Sequence, residues 1–196
     1  MHYFIFSNKT AYIAEDSPSH IKQYPDDKDK NYGGDEVLEL KKNFQNSYST
    51  SPYDVSRMLI QFDISDISSS VVSGEISSSA KYNLRLYEIE GQRELDKSFT
   101  ISAYAVSQSW DEGTGKFHSN PKVTDGVTWV SASTSNVWRD AGSGTSGSRS
   151  TQGGGVWITG SDYQSSQTFK VGESPDIDMD ITDIVNYWIL SGSDSN

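Results

Sequence analysis

Alternating polar and apolar runs, turn residues between them and little helical periodicity predict an all-β chain. The predicted architecture is a two-sheet antiparallel jelly-roll β-sandwich with one short C-terminal helix. Three observations carry it. Segments such as 57–65 and 176–181 alternate with period two, as a strand with one face in a core must. The 5 Trp, 11 Tyr and 7 Phe supply bulky rings for a sandwich core in a chain only 34% hydrophobic. The clearest helical stripe, Ile181, Ile184, Val185, Trp188 and Ile189, stands at the end of the chain. At 196 residues the expectation is one domain over 1–196.

In chain order, residues 2–6 and 10–14 read as short strands around Ser7-Asn8-Lys9. Residues 15–35 hold Pro18, Pro25, a charge run and Asn31-Tyr32-Gly33-Gly34, and read as a long surface loop. Residues 37–41 return to strand. Residues 57–65 follow as the strand expected at mid-sheet, with Met58, Ile60, Phe62 and Ile64 facing the core. Residues 65–80 form a Ser-rich connection. Tyr82, Leu84 and Leu86 share one face of the next strand, and residues 98–108 are apolar on both parities, as a strand covered on both sides would be. Residues 142–155 form a Gly/Ser-rich loop with the composition of a flexible linker. Residues 156–159 and 167–171 read as strands. In 176–181 three aspartates oppose Ile177, Met179 and Ile181. Thr182 is placed to cap the helix that follows, with Asp183 at its positive end and Gly192 after its last turn.

A formal net charge of −11 argues against nucleic acid and against anionic membrane surfaces as partners. With no cysteine there is no disulfide and no thiolate metal site. The first residues lack the basic region of a signal peptide, and no run approaches the roughly 18 apolar residues of a membrane span. With Met1 as the native start, the expectation is a protein that is made and stays in a cytosol, or leaves by cell lysis.

Several residue groups invite chemistry. Asp26, Asp27, Asp29 and Asn31 crowd oxygen ligands beside Gly33 and Gly34, as a Ca²⁺ site would, although the spacing is not that of an EF-hand. Solvated charge is the competing reading. Asp111 and Glu112 are the most enzyme-like pair, yet neighbours on an extended chain point opposite ways and do not flank one bond. His2, His20 and His118 belong to no recognisable triad or ligand motif, so the chain is expected not to be an enzyme. Flat arrays of exposed aromatics bind sugars. Trp138, in a polar stretch, is the expected exposed ring; Trp110 and Trp129 stay open between core and surface, and Trp157 is placed inside.

Three pieces in order, 57–64, Trp110-Asp111-Glu112-Gly113 with Val127-Thr128-Trp129, and 180–188, resemble the DNRLRE-type jelly-roll domains of microbial surface proteins and related carbohydrate-binding modules. Asn31-Tyr32-Gly33 matches an early element of that family. The resemblance runs roughly from residue 10 to 192; the Gly-rich insert has no counterpart in it. An acidic, signal-less chain of this kind is also similar to virion structural proteins of tailed bacteriophages, those of marine cyanobacteria (cyanophages) especially. The resemblance implies a virion component of head, neck, tail or fibre, in contact with other virion proteins and with copies of itself as a homo-oligomer. The alternative it implies is a carbohydrate-binding module for a host or environmental glycan.

Overall fold

The computed structural model describes residues 3–15, 28–44, 53–89, 98–139, 153–171 and 176–191. Asp26, Asp27, most of the Gly-rich stretch, Gly192, His2 and His20 lie outside them. The described chain is mostly strand, with two α-helices. Its residues cluster into two compact units, one of Met1–Asp63 and Val106–Trp157, the other of Ile64–Ala105 and Ile158–Ser195.

In the first unit, β1 (Ser7–Glu15), β2 (Lys42–Phe44) and β3 (Tyr53–Phe62) form an antiparallel sheet in the order β1-β3-β2. The stretch expected at mid-sheet is the middle strand. Its faces are reversed, however. Leu59 lies in the main core with Ala11, Ile13, Trp110, Val127, Trp129, Ala132, Trp138 and Val156, whereas Met58, Ile60 and Phe62 are only half-buried. Polarity misassigns the face because Arg57, on the core parity, lies between two indole rings that cover its charge. β1 is the strand covered on both sides. Ala11 and Ile13 enter the main core, while Tyr12 and Ala14 join Tyr32 in a second cluster, where the two tyrosine rings stack 4.4 Å apart.

Two expected strands lie elsewhere than predicted. Tyr3–Phe6 is not strand and its side chains are exposed, because the pairing of β1 with β3 starts at Ser7 opposite Phe62. Residues 37–41 are irregular, and the short β2 begins at Lys42, opposite Val55. Farther on, β6 (Ser131–Ser133) and β7 (Asn136–Val137) form a small hairpin.

The second unit pairs β4 (Asn83–Leu86) with β9 (Ile177–Asp180), and β5 (Phe99–Tyr104) with β8 (Gln164–Phe169), all antiparallel. Ile177 and Met179 are buried and Asp178 and Asp180 exposed, as their alternation requires. β5 alternates half-buried and exposed, with Phe99 stacked on Phe169 at 4.8 Å, so it is not a two-sided strand. Of residues 156–159, Trp157 makes one isolated bridge to Val106 within the first unit.

Ser65–Val72 is a helix, α1, where the sequence predicts an open connection. None of its residues is buried, and its run of serines (Ser65, Ser68, Ser69, Ser70) reads as a loop although Ile64, Ile67 and Val71 fall at helical spacing. The C-terminal helix α2 (Thr182–Ser191) is as expected, but its cap is not Thr182. Thr182 is its first residue, and its backbone N–H donates to the Asp180 carboxylate at 2.9 Å. The Thr182 hydroxyl accepts from the Tyr82 N–H at 3.0 Å, tying the helix start to the approach of β4.

Candidate functional site

Asn31 fixes the loops of the first unit. It is 0% exposed, and its side-chain amide uses four hydrogen-bonding positions. Nδ2 donates to the carbonyls of Glu112 at 2.8 Å and Val127 at 2.7 Å. Oδ1 accepts from the N–H groups of Gly33 at 3.1 Å and Gly115 at 2.8 Å. The approach is so close that a Cβ on Gly33 would meet the Glu112 carbonyl oxygen at 1.8 Å. Gly113, at φ +80°, would press a Cβ onto the Asn31 amide itself. The Asn31-Tyr32-Gly33 and Trp110–Gly113 pieces, far apart in sequence, are thus halves of one hydrogen-bonded joint.

This arrangement occupies Asn31, one of the four residues of the expected metal site; Asp26 and Asp27 lie outside the described residues. The amide oxygen of Asn31 faces two backbone donors and has no lone pair left for a cation. Asp29 instead meets the Lys122 ammonium. Among the described residues no group of three or more His, Asp or Glu side chains is placed to hold a metal ion. Glu112 is also engaged. Its carboxylate accepts from the Thr10 N–H at 2.7 Å, covering the outer edge of β1, while Asp111 is exposed.

The three tryptophans considered for sugar binding are core residues. Trp110 and Trp129 are each 2% exposed and Trp138 is 6%. Trp138 reverses its expectation because its indole N–H donates to the Thr128 carbonyl at 3.0 Å, which lets the ring lie under the polar hairpin. Trp157, expected inside, is half-buried. The Arg57 guanidinium stands 4.8 Å from the ring centres of both Trp129 and Trp157 and donates to the Gly154 carbonyl. Burial lowers its pKa from the ordinary value, against the raising effect of Glu15, yet a guanidinium stays charged at physiological pH. The Gly154 N–H donates to the Trp129 carbonyl at 2.6 Å. Gly153–Gly155, the described end of the Gly-rich stretch, is therefore packed against the core rather than a free linker. A Cβ at Gly154 would lie 2.5 Å from the Arg57 guanidinium.

One open surface among the described residues is a groove of about 490 Å³ lined by Tyr12, Asp35, Glu36, Val37, Glu39, Lys116, Phe117 and His118. Phe117 is 61% exposed and meets His118 edge-on at 5.2 Å. The ring is held from its backbone. The Phe117 N–H donates to Asp35 at 2.9 Å, and the Phe117 carbonyl accepts from the Lys30 ammonium at 2.8 Å. Lys30 is itself buried between the rings of Tyr32, at 5.3 Å, and Phe117, at 5.4 Å. Glu36 is exposed, and Glu39 lies 3.4 Å from Lys41. An open aromatic ring ringed by carboxylates, an ammonium and an imidazole can take the C–H face of a sugar and bond its hydroxyls.

Sequence reasoning passed over Phe117 because a lone phenylalanine reads as core. The usable signal was its company, since Phe117 and His118 sit in a polar loop with no alternating apolar neighbours. In the second unit, a cavity of about 110 Å³ at the start of α2, lined by Lys81, Ser165, Asp180 and Asp183 among others, has room for only a few waters. No helix among the described residues is long and apolar enough to cross a membrane.

Residues 15–141 match the family model described as carbohydrate-binding module family 96. No curated protein and no solved structure matches the chain. The matched stretch contains the Asn31 joint and all of the groove except Tyr12.

Proposed function

Because the chain belongs to carbohydrate-binding module family 96, we propose that it is a non-enzymatic module that holds a glycan in the groove beside Phe117. The observation that carries this reading is the open Phe117 ring, fixed through its backbone by Asp35 and Lys30. A sugar platform gains from such rigidity because less freedom is lost on binding. The engaged Glu112 also favours binding over hydrolysis, since a catalytic carboxylate would need to face a substrate. Titrating the protein against a panel of oligosaccharides by calorimetry tests the proposal. Phe117→Ala is expected to weaken binding at least about tenfold while leaving the circular dichroism unchanged. Undiminished affinity in that variant would sink the assignment of the groove.

The reading includes a jelly-roll β-sandwich, supported by the antiparallel pairing of every described ladder and by the family resemblance. A role as a tailed-phage virion component rests on sequence resemblance alone, and the family match favours the binding module over it. Mass spectra of purified particles that contain this chain would restore the virion role, with the groove then serving to read a host-surface glycan.

A further inference from the structure

We propose that Tyr3–Phe6 pairs with the same segment of a second copy of the chain, antiparallel about a two-fold axis. The segment leads into β1 but lies outside every described ladder, because β3 ends at Phe62, opposite Ser7. Tyr3, Phe4 and Phe6 are 68%, 76% and 86% exposed, and Ile5 is exposed as well. β1 is an edge strand, and the part of it that follows is covered. The Glu112 carboxylate accepts from the Thr10 N–H, and the Lys9 ammonium donates to the Trp110 carbonyl at 3.2 Å. Tyr3–Phe6 lies beyond this cover, with neither a charge nor a proline to keep another strand away.

A second copy fits the strip on symmetry, area and charge. An open strand edge is complementary to its own image turned through a half-turn, which closes the contact at two copies. With the axis at Ile5, Phe4 and Phe6 of both copies gather on one face of the pair, and Tyr3 and Ile5 on the other. An aromatic side chain offers about 150–250 Å², so the exposed parts of the three rings sum to about 450 Å² per copy. Two copies together hide about 900 Å², near the low end for specific contacts, which suits a weak and reversible dimer. Residues 1–14 contain no Asp or Glu, so two chains of net charge −11 meet where neither is acidic. The pairing does not depend on the glycan reading; with it, a dimer carries two grooves and gains avidity on a polymer of repeated sites.

Sedimentation velocity of the full chain, without glycan, from about 5 to about 500 µM tests the pairing. A monomer–dimer equilibrium with Kd of about 10–100 µM is expected. It should tighten between about 50 mM and about 0.5 M salt, as screening relieves the repulsion between the acidic chains. Phe4→Lys/Phe6→Lys alters exposed side chains outside the sheet and is expected to stay monomeric throughout, with an unchanged melting temperature. A parent chain that is monomeric at the highest concentration, or a dimer that survives in the double variant, would overturn the proposal. So would binding of phosphatidylcholine vesicles or oligosaccharides that needs Phe4 and Phe6 and proceeds without dimer formation, since the strip would then have another occupant.

Discussion

Asn31 shows how one side chain can join distant backbone segments. Replacing it with alanine would leave two buried N–H groups and two carbonyls without their partner, at a cost of about 3 kcal/mol or more. A lowered midpoint in urea denaturation checks this, and Asn31→Asp is expected to do no better, because it sets a carboxylate against two carbonyl oxygens. The residue was visible in the sequence as part of a motif, but its role was not. An amide oxygen in an acidic loop reads the same whether it faces a cation or a backbone N–H, and only the approach of Gly115 decides between them. Arg57 poses the same problem in reverse. Its place in the core depends on Trp129 and Trp157, neither of which is near it in sequence.

Among the elements, α2 was the most legible, because its apolar stripe is strong and its start lies next to a strictly alternating strand. The cap had to be seen. Hydrogen bonds from the Thr182 hydroxyl and then its backbone N–H hold the Asp180 carboxyl below the ordinary carboxylate range. A depressed carboxylate pKa gives stability that is present above the unfolded value, about 3.9, and lost as pH falls through the folded value. Asp180→Ala is therefore expected to lower stability at neutral pH by only about 0.5 kcal/mol, because the carboxylate is exposed and screened, with the gap to the parent protein closing as pH falls below the unfolded value. Thermal melts of the two proteins across that range check the sign. Asp178 is shifted the same way by Asn83 and Arg85, so the parent protein should lose stability on acidification from more than one site. By contrast α1 was missed because its serines read as a loop, and the parity of β3 was misread because its core face includes an arginine.

For the whole molecule, composition made the predominance of strand legible, and period-two alternation located β3, β4 and β9. The exposed ring was another matter, since burial of Trp110, Trp129 and Trp138 depends on how remote segments pack. Net charge acts at this scale as well. At −11 the folded chain repels itself more than its expanded form does. Raising salt from about 10 mM to about 0.2 M should therefore raise the melting temperature by a few degrees through screening. Scanning calorimetry at the two salt concentrations checks it, and a fall in melting temperature would show that specific ion pairs outweigh the general repulsion.

The joint at Asn31 has a consequence in time. Its partners Glu112, Gly115 and Val127 lie 81, 84 and 96 residues farther along the chain. On a ribosome adding about 5–20 residues per second, Asn31 emerges about 5–20 s before Val127. Through that interval the loop that carries Tyr32 and Gly33 has none of these contacts to close on. Birth order thus sets the earliest moment at which the joint can close, when Val127 has emerged.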